Sequence, residues 1–165
     1  MDFSYHSKTH TSEVKQEESF ETIFEVWEKV IIGANKSYQK GQVFASIGAY
    51  YQAISLSKKL IARAPSNYRS LSALVSSFHN LSDTYLFLHL PKEEMVAIRL
   101  AYSLITQVEA IIADIEQRFS QNIDVLRFSS IARQQKLLLL KKYPQHLAFF
   151  DSHDQLNEIT RKPVH

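Results

Sequence analysis

The sequence predicts an all-α protein, and three observations carry that expectation. Apolar residues recur at spacings of three and four in five successive stretches, the signature of helices with one buried face. Three glycines and four prolines leave too few turn formers for a strand-rich fold. Acids gather at the start and bases at the end of the first stretch, as the helix dipole favours.

The first helix is predicted over about 18–40. Phe20, Ile23, Phe24, Trp27, Val30, Ile31, Ala34 and Tyr38 make its apolar face. Glu17, Glu18 and Glu21 lie at its start, Lys36 and Lys40 at its end. Gly41 stops it, because glycine takes positive φ cheaply. The second spans about 43–64, with Phe44, Ile47, Tyr50, Tyr51, Ile54 and Ile61 on one side. Small Gly48 and Ala49 offer a close approach. Pro65 breaks it, since proline disfavours a helical residue before it.

The third helix is expected over about 68–88, with Leu71, Leu74, Val75, Phe78, Leu81 and Tyr85 inward. The fourth is long, about 91–119. Pro91 suits a first helical position, and Glu93 and Glu94 suit the first turn. Its stripe runs Met95, Ile98, Ala101, Tyr102, Ile105, Val108, Ile112, Ile115, Phe119. These aromatics and the methionine read as core, not as a cofactor box. Asn122 is a candidate cap for a fifth helix over about 123–142, which Tyr143-Pro144 ends. Leu147, Phe149 and Phe150 are apolar enough to fold back onto the bundle.

With 165 residues the chain is expected to form one domain, a helical unit over 17–150 between polar tails at 1–16 and 151–165. No cysteine is present, which removes disulfides, thiol catalysis and thiolate metal sites and suits a reducing compartment. No apolar run approaches the ~18 residues of a membrane span. The first 21 residues lack the basic start and apolar segment of a signal peptide. A cytoplasmic protein without membrane partners is the expectation.

Charge falls in blocks: −5 over 1–28, +7 over 29–82 without one acid, −4 over 83–124 and +4 thereafter. Such blocks can recruit charged partners, or simply attract neighbouring helices to each other. His6 and His10 stand four apart, as helical zinc ligands do. A structural site wants four ligands, and no cluster supplies the others. No metal or other cofactor is therefore expected.

Phe78, Asn80, Leu81, Ser82 and Tyr85, followed by Ile98 and Ala101, form a spaced pattern of bulky and small residues. Small Ser82 and Ala101 let paired helices approach, and Phe78, Tyr85 and Ile98 fill the space around them. This pattern resembles the tetratricopeptide repeat (TPR). Val30, Ala34, Gly41, Ser46, Tyr50 and Ala53 resemble a weaker first copy. Ala34 and Ser82 are 48 residues apart, longer than the ~34 of an ordinary repeat, so the helices flanking Pro65 must be stretched. Glu94 stands where the pattern wants Ala, His89 where it wants Gly, and Lys58 where a proline is expected. The resemblance implies a divergent, short TPR-like solenoid of antiparallel helix pairs with a fifth, capping-like helix. The segments HNLSDTY and KEEMVAIRLAYS are also similar to a family of short bacterial TPR-like proteins of unknown function.

A TPR-like fold implies a concave surface that binds peptides or helices. Carried over by position, that surface comprises Ile31, Asn35, Tyr38 and Gln39 from the first pair and His79, Asn80, Asp83 and Phe87 from the second. The expected activity is non-enzymatic: a scaffold for a protein or peptide partner. Asn35 and Asn80 also match the two Asn positions of a carboxylate clamp, but Ile31 replaces its Lys and the fifth helix lacks a basic pair four apart. His79 and Asp83, one turn apart, could orient an imidazole. No phosphate loop, zinc-protease helix or nucleophile elbow accompanies them, so the chain is not expected to be an enzyme.

Nucleic-acid binding is the alternative. Lys29, Lys36, Lys40, Lys58, Lys59, Arg63 and Arg69 form an acid-free block interleaved with Tyr38, Tyr50, Tyr51 and Tyr68. The tyrosines lie at core spacing and no recognised module appears, which disfavours it. Two repeats also leave exposed ends that a second copy could cover, giving a homodimer.

Overall fold

The computed structural model describes residues 18–88 and 94–146. Five helices follow one another: α1 Phe20–Gln39, α2 Val43–Arg63, α3 Tyr68–Phe87, α4 Glu94–Arg118 and α5 Ile123–Lys142. The architecture is all-α, as expected. The tails at 1–16 and 151–165, with His6 and His10, lie outside the described residues. So do His89, Pro91, Glu93, Leu147, Phe149 and Phe150.

Local chemistry sets the helix ends. The Ser19 side chain accepts from the Thr22 N–H at 3.1 Å and caps α1. Asn67 caps α3 through the Arg69 N–H, and Asn122 caps α5 by accepting from the N–H groups of Asp124 and Val125. Gly41 adopts φ 73°, the left-handed turn that lets α2 reverse direction after α1.

Each helix packs on the next. The central α3 also packs on α1 and α5, while the backbones of α2 and α4 stay more than 8 Å apart. The main core draws on all five helices, around Trp27, Leu60, Leu71, Leu74, Phe78, Leu81, Val108 and Ile112. A second cluster of Ile98, Ala101, Tyr102, Ile105 and Leu139 joins α4 to α5. The small residues expected where helices approach closely, Ala34, Ser46, Ala53, Ser82 and Ala101, are all buried. The Ser82 hydroxyl donates to the Ala101 carbonyl at 3.3 Å, which directly measures the close approach of α3 and α4.

Three expected core residues are instead exposed: Phe44, Tyr51 and Met95. On α2 the reason is the serines. Ser46 and Ser57 turn their hydroxyls back to the carbonyls of Val43 and Ile54, so they bury without a stranded polar group. The buried face then centres on Ser46, Tyr50, Ala53, Ser57 and Leu60, and Phe44 and Tyr51 rotate to its flank. On α4 the buried face begins at Ala97 and Ile98, leaving Met95 before it.

Among the described residues α4 is the one helix long and apolar enough, by length and composition, to cross a membrane; its best window has hydropathy 1.5. Its buried residues from Ile98 to Ile115 belong to the cores just described.

Gly33 is exposed in mid-α1, and a Cβ built there meets nothing within 4 Å. Gly33→Ala is therefore expected to stabilise the fold by about 0.5–1 kcal/mol, through helix propensity and a less flexible unfolded chain. Thermal melting would show a rise of about 2–3 °C; an unchanged midpoint would contradict the open environment.

Candidate binding groove

The seam between α1 and α3 opens into a cleft of about 400 Å³. It is lined by Asn35, Tyr38, Gln39, Tyr50, Asn80, Asp83 and Thr84. A polar network fixes its floor. The Tyr50 hydroxyl donates to Asn35 Oδ1 at 2.7 Å, and Asn80 Nδ2 donates to the same oxygen at 3.1 Å. Thr84 Oγ1 donates to the Asn80 carbonyl at 2.7 Å. With Oδ1 of Asn35 accepting twice, its amide nitrogen and Asn80 Oδ1 remain as the polar atoms available to a ligand.

A second, smaller cleft of about 150 Å³ lies between α3 and α5. His79, Asp83, Leu86, Gln135, Leu138 and Lys142 are among its walls. Asp83 borders both clefts, so they adjoin at this residue of α3. At its lip the exposed Phe87 packs edge-on to Tyr38, ring centres 5.9 Å apart.

The electrostatics follow from the walls. Asp83 is exposed at the surface, yet the cleft walls strip part of the water from its carboxyl and push it above its ordinary range, while Lys142 opposes that shift. Burial also raises the Tyr38 phenol, with Asp83 adding to the effect. Tyr50 is raised by burial, then by Tyr38 and Asp83. Both phenols thus remain hydrogen-bond donors at neutral pH. Burial holds His79 down to about 4, so its imidazole is neutral. The Nε2 atom of His79 is buried and finds no hydrogen-bond partner among the described residues.

Of the eight residues expected to line the groove, Asn35, Tyr38, Gln39, Asn80 and Asp83 meet in the first cleft. His79 lies in the second, and Phe87 at the lip. Ile31 does not line it: it is a core residue, 7% exposed, because the α1 face it shares with Trp27 and Ala34 is covered. The expected geometry of His79 facing Asp83 does not give a hydrogen bond between them; burial leaves the imidazole nitrogen alone. Sequence reasoning passed over Tyr50, which read as packing, and did not single out Thr84 or Gln135, Leu138 and Lys142 of α5. Their signal was the spacing of 135, 138 and 142, which places them on one helix face.

The acid-free basic block is divided among several surfaces. Arg69 binds Glu21 at 2.9 Å and stacks over the Phe24 ring at 3.8 Å; Lys59 reaches Glu18 at 3.4 Å. Tyr50, among its aromatics, is buried. No group of three side chains able to hold a metal occurs among the described residues.

A family model described as protein of unknown function (DUF2753) matches residues 25–151, from within α1 to beyond α5. The chain belongs to the DUF2753 family. No curated protein and no solved structure matches it. Within the DUF2753 match lie every groove residue named above and both small-residue seams.

Proposed function

We propose that this DUF2753 chain is a short TPR-like scaffold that binds a polypeptide segment of a protein partner along the groove of α1, α3 and α5. The observation that carries the reading is the meeting of two clefts at Asp83, one polar and one mixed, on adjoining helices. A row of helices presenting amides, phenols and one carboxylate suits a backbone with alternating donors and acceptors. The contact of α3 with α1 and α5, while α2 and α4 stay apart, supports a stack of helix pairs with α1, α3 and α5 in one layer. The buried small residues at both seams support it too. On this reading the chain carries out no chemistry of its own and works in the cytoplasm.

The test is affinity capture from native lysate with the wild-type chain and with Gln39→Arg/Asp83→Arg, which crowds the groove from exposed positions. A partner held by the wild type is expected to be lost from the double variant. Retention of every captured protein by the variant would reject the groove as the binding surface.

A further inference from the structure

The opposite side of α3 carries a second trough that the groove does not use. α2 runs antiparallel to α3, since Tyr51 meets Tyr85 and Lys58 meets Phe78. α4 returns along the other flank of α3, with Ser82 meeting Ala101. Because the backbones of α2 and α4 stay more than 8 Å apart, a trough remains between them, floored by Phe78 and Tyr85 and walled by Tyr51, Lys58, Leu100 and Ser103.

The helix faces that form its walls carry further exposed residues. Phe44, Tyr51 and Lys58 recur every seven residues on α2, and Val96, Leu100, Ser103 and Gln107 recur at three and four on α4. Phe44, Tyr51, Val96 and Leu100 are all exposed, Phe44 at 80%. From Phe44 to Lys58 this face of α2 is about 21 Å long at 1.5 Å per residue, the length of a helix of about four turns. Gly48 falls on the same stripe, and a Cβ there would meet nothing within 4 Å.

The charge of the trough has one sign. Among the described residues, Lys58 is the only charged residue lining it, with its Nζ 5.5 Å from the Phe78 ring centre. No acid occurs in α2. On α4, Glu109 is engaged by Lys136, Glu116 by Arg133 and Ser129, and Asp114 by Arg118. Glu94 lies two residues from Val96, about 200° round the helix. At the middle of the trough the Tyr51 and Tyr85 hydroxyls are 3.0 Å apart, so one phenolic hydrogen joins them and the other remains to donate. An apolar channel with a lone cation and spare donors complements an apolar helix face bordered by acids.

We propose that this trough docks an amphipathic helix of a partner protein whose apolar stripe is flanked by Glu or Asp, with one acid meeting Lys58. The two ridges enclosing the trough favour a rod over the flat surface of an anionic membrane. The inference does not depend on the groove of α1, α3 and α5, which lies on the other side of α3.

The test uses the full chain, isotope-labelled, titrated to millimolar with a synthetic 15-residue helical peptide carrying Leu at spacings of three and four and Glu on both flanks. A matched peptide with Lys in place of Glu is the comparison, and vesicles of phosphatidylcholine with phosphatidylserine form a third arm. Amide shifts are expected at Tyr51, Lys58, Leu100 and Ser103, with the Glu peptide preferred. Lys58→Glu should weaken that peptide about tenfold. Gly48→Leu should remove the shifts while leaving the helical circular dichroism intact. Equal affinity for the two peptides, shifts confined to Asn35, Tyr38 and Asp83, no shifts at all, or binding to vesicles alone would each overturn the proposal.

Discussion

Phe78→Ala is expected to cost about 3–5 kcal/mol, the usual range for emptying a buried phenylalanine site. Phe78 is fully buried on the central helix and belongs to the main core. Since domains of this kind carry about 5–15 kcal/mol in total, such a loss brings the fold close to its limit. The melting temperature should fall by about 10 °C or more. Phe78→Leu, which leaves a smaller void, should cost clearly less. A fall of less than 2 °C for the alanine variant, measured by thermal melting, would mean that α3 does not organise the core.

The second expected result is a loss of stability on mild acidification that traces to His79. Its folded pKa is about 4, below the ordinary 6.5, because burial disfavours the charged ring. As pH falls below 6.5 the unfolded chain takes up this proton first, and the folded chain resists until about pH 4. The contribution of His79 is therefore fully present above pH 6.5 and drains away between 6.5 and about 4. At 1.36 kcal/mol per unit, the loss has a ceiling of about 3 kcal/mol. Asp83 works in the opposite sense, since its raised pKa favours the folded state as the carboxyl takes up a proton. The upper half of the window, down to about pH 5, therefore isolates the histidine most cleanly. Urea unfolding of the wild type and His79→Phe at pH 7.5 and 5.5 provides the measurement. The variant should lose less stability on acidification. It should also be no weaker at pH 7.5, because it removes a buried nitrogen that has no partner. Parallel pH profiles for the two proteins would exclude His79 as the source.

The five helices were legible because their signals are local. Gly41, Asn122 and the three-and-four spacing each act within one or two turns of chain. The nearness of Asn35 and Asn80 was legible through a different route, the likeness between two stretches of sequence, and the hydrogen bond between their side chains shows that proximity. What escaped was the rotation of α2 about its own axis. A serine reads as polar in a sequence, yet Ser46, Ser57, Ser70 and Ser77 are fully buried, each with its hydroxyl donated to a backbone carbonyl. Counting only large apolar residues therefore found Tyr50 and Ile54, which are buried, but widened the expected face to Phe44 and Tyr51, which are not. The placement of Ile31 failed for a related reason. Position within a repeat does not say how wide the covered face of α1 is, and here it reaches around to include that side chain.

The indole of Trp27 donates to Ser77 across fifty residues of chain, from the first helix to the third. It is the only tryptophan in the protein. Its emission therefore reports whether α3 is seated against α1, because loss of that contact releases the indole N–H and opens the ring to water. The molecule carries its own optical reporter for the joint between its first and third helices.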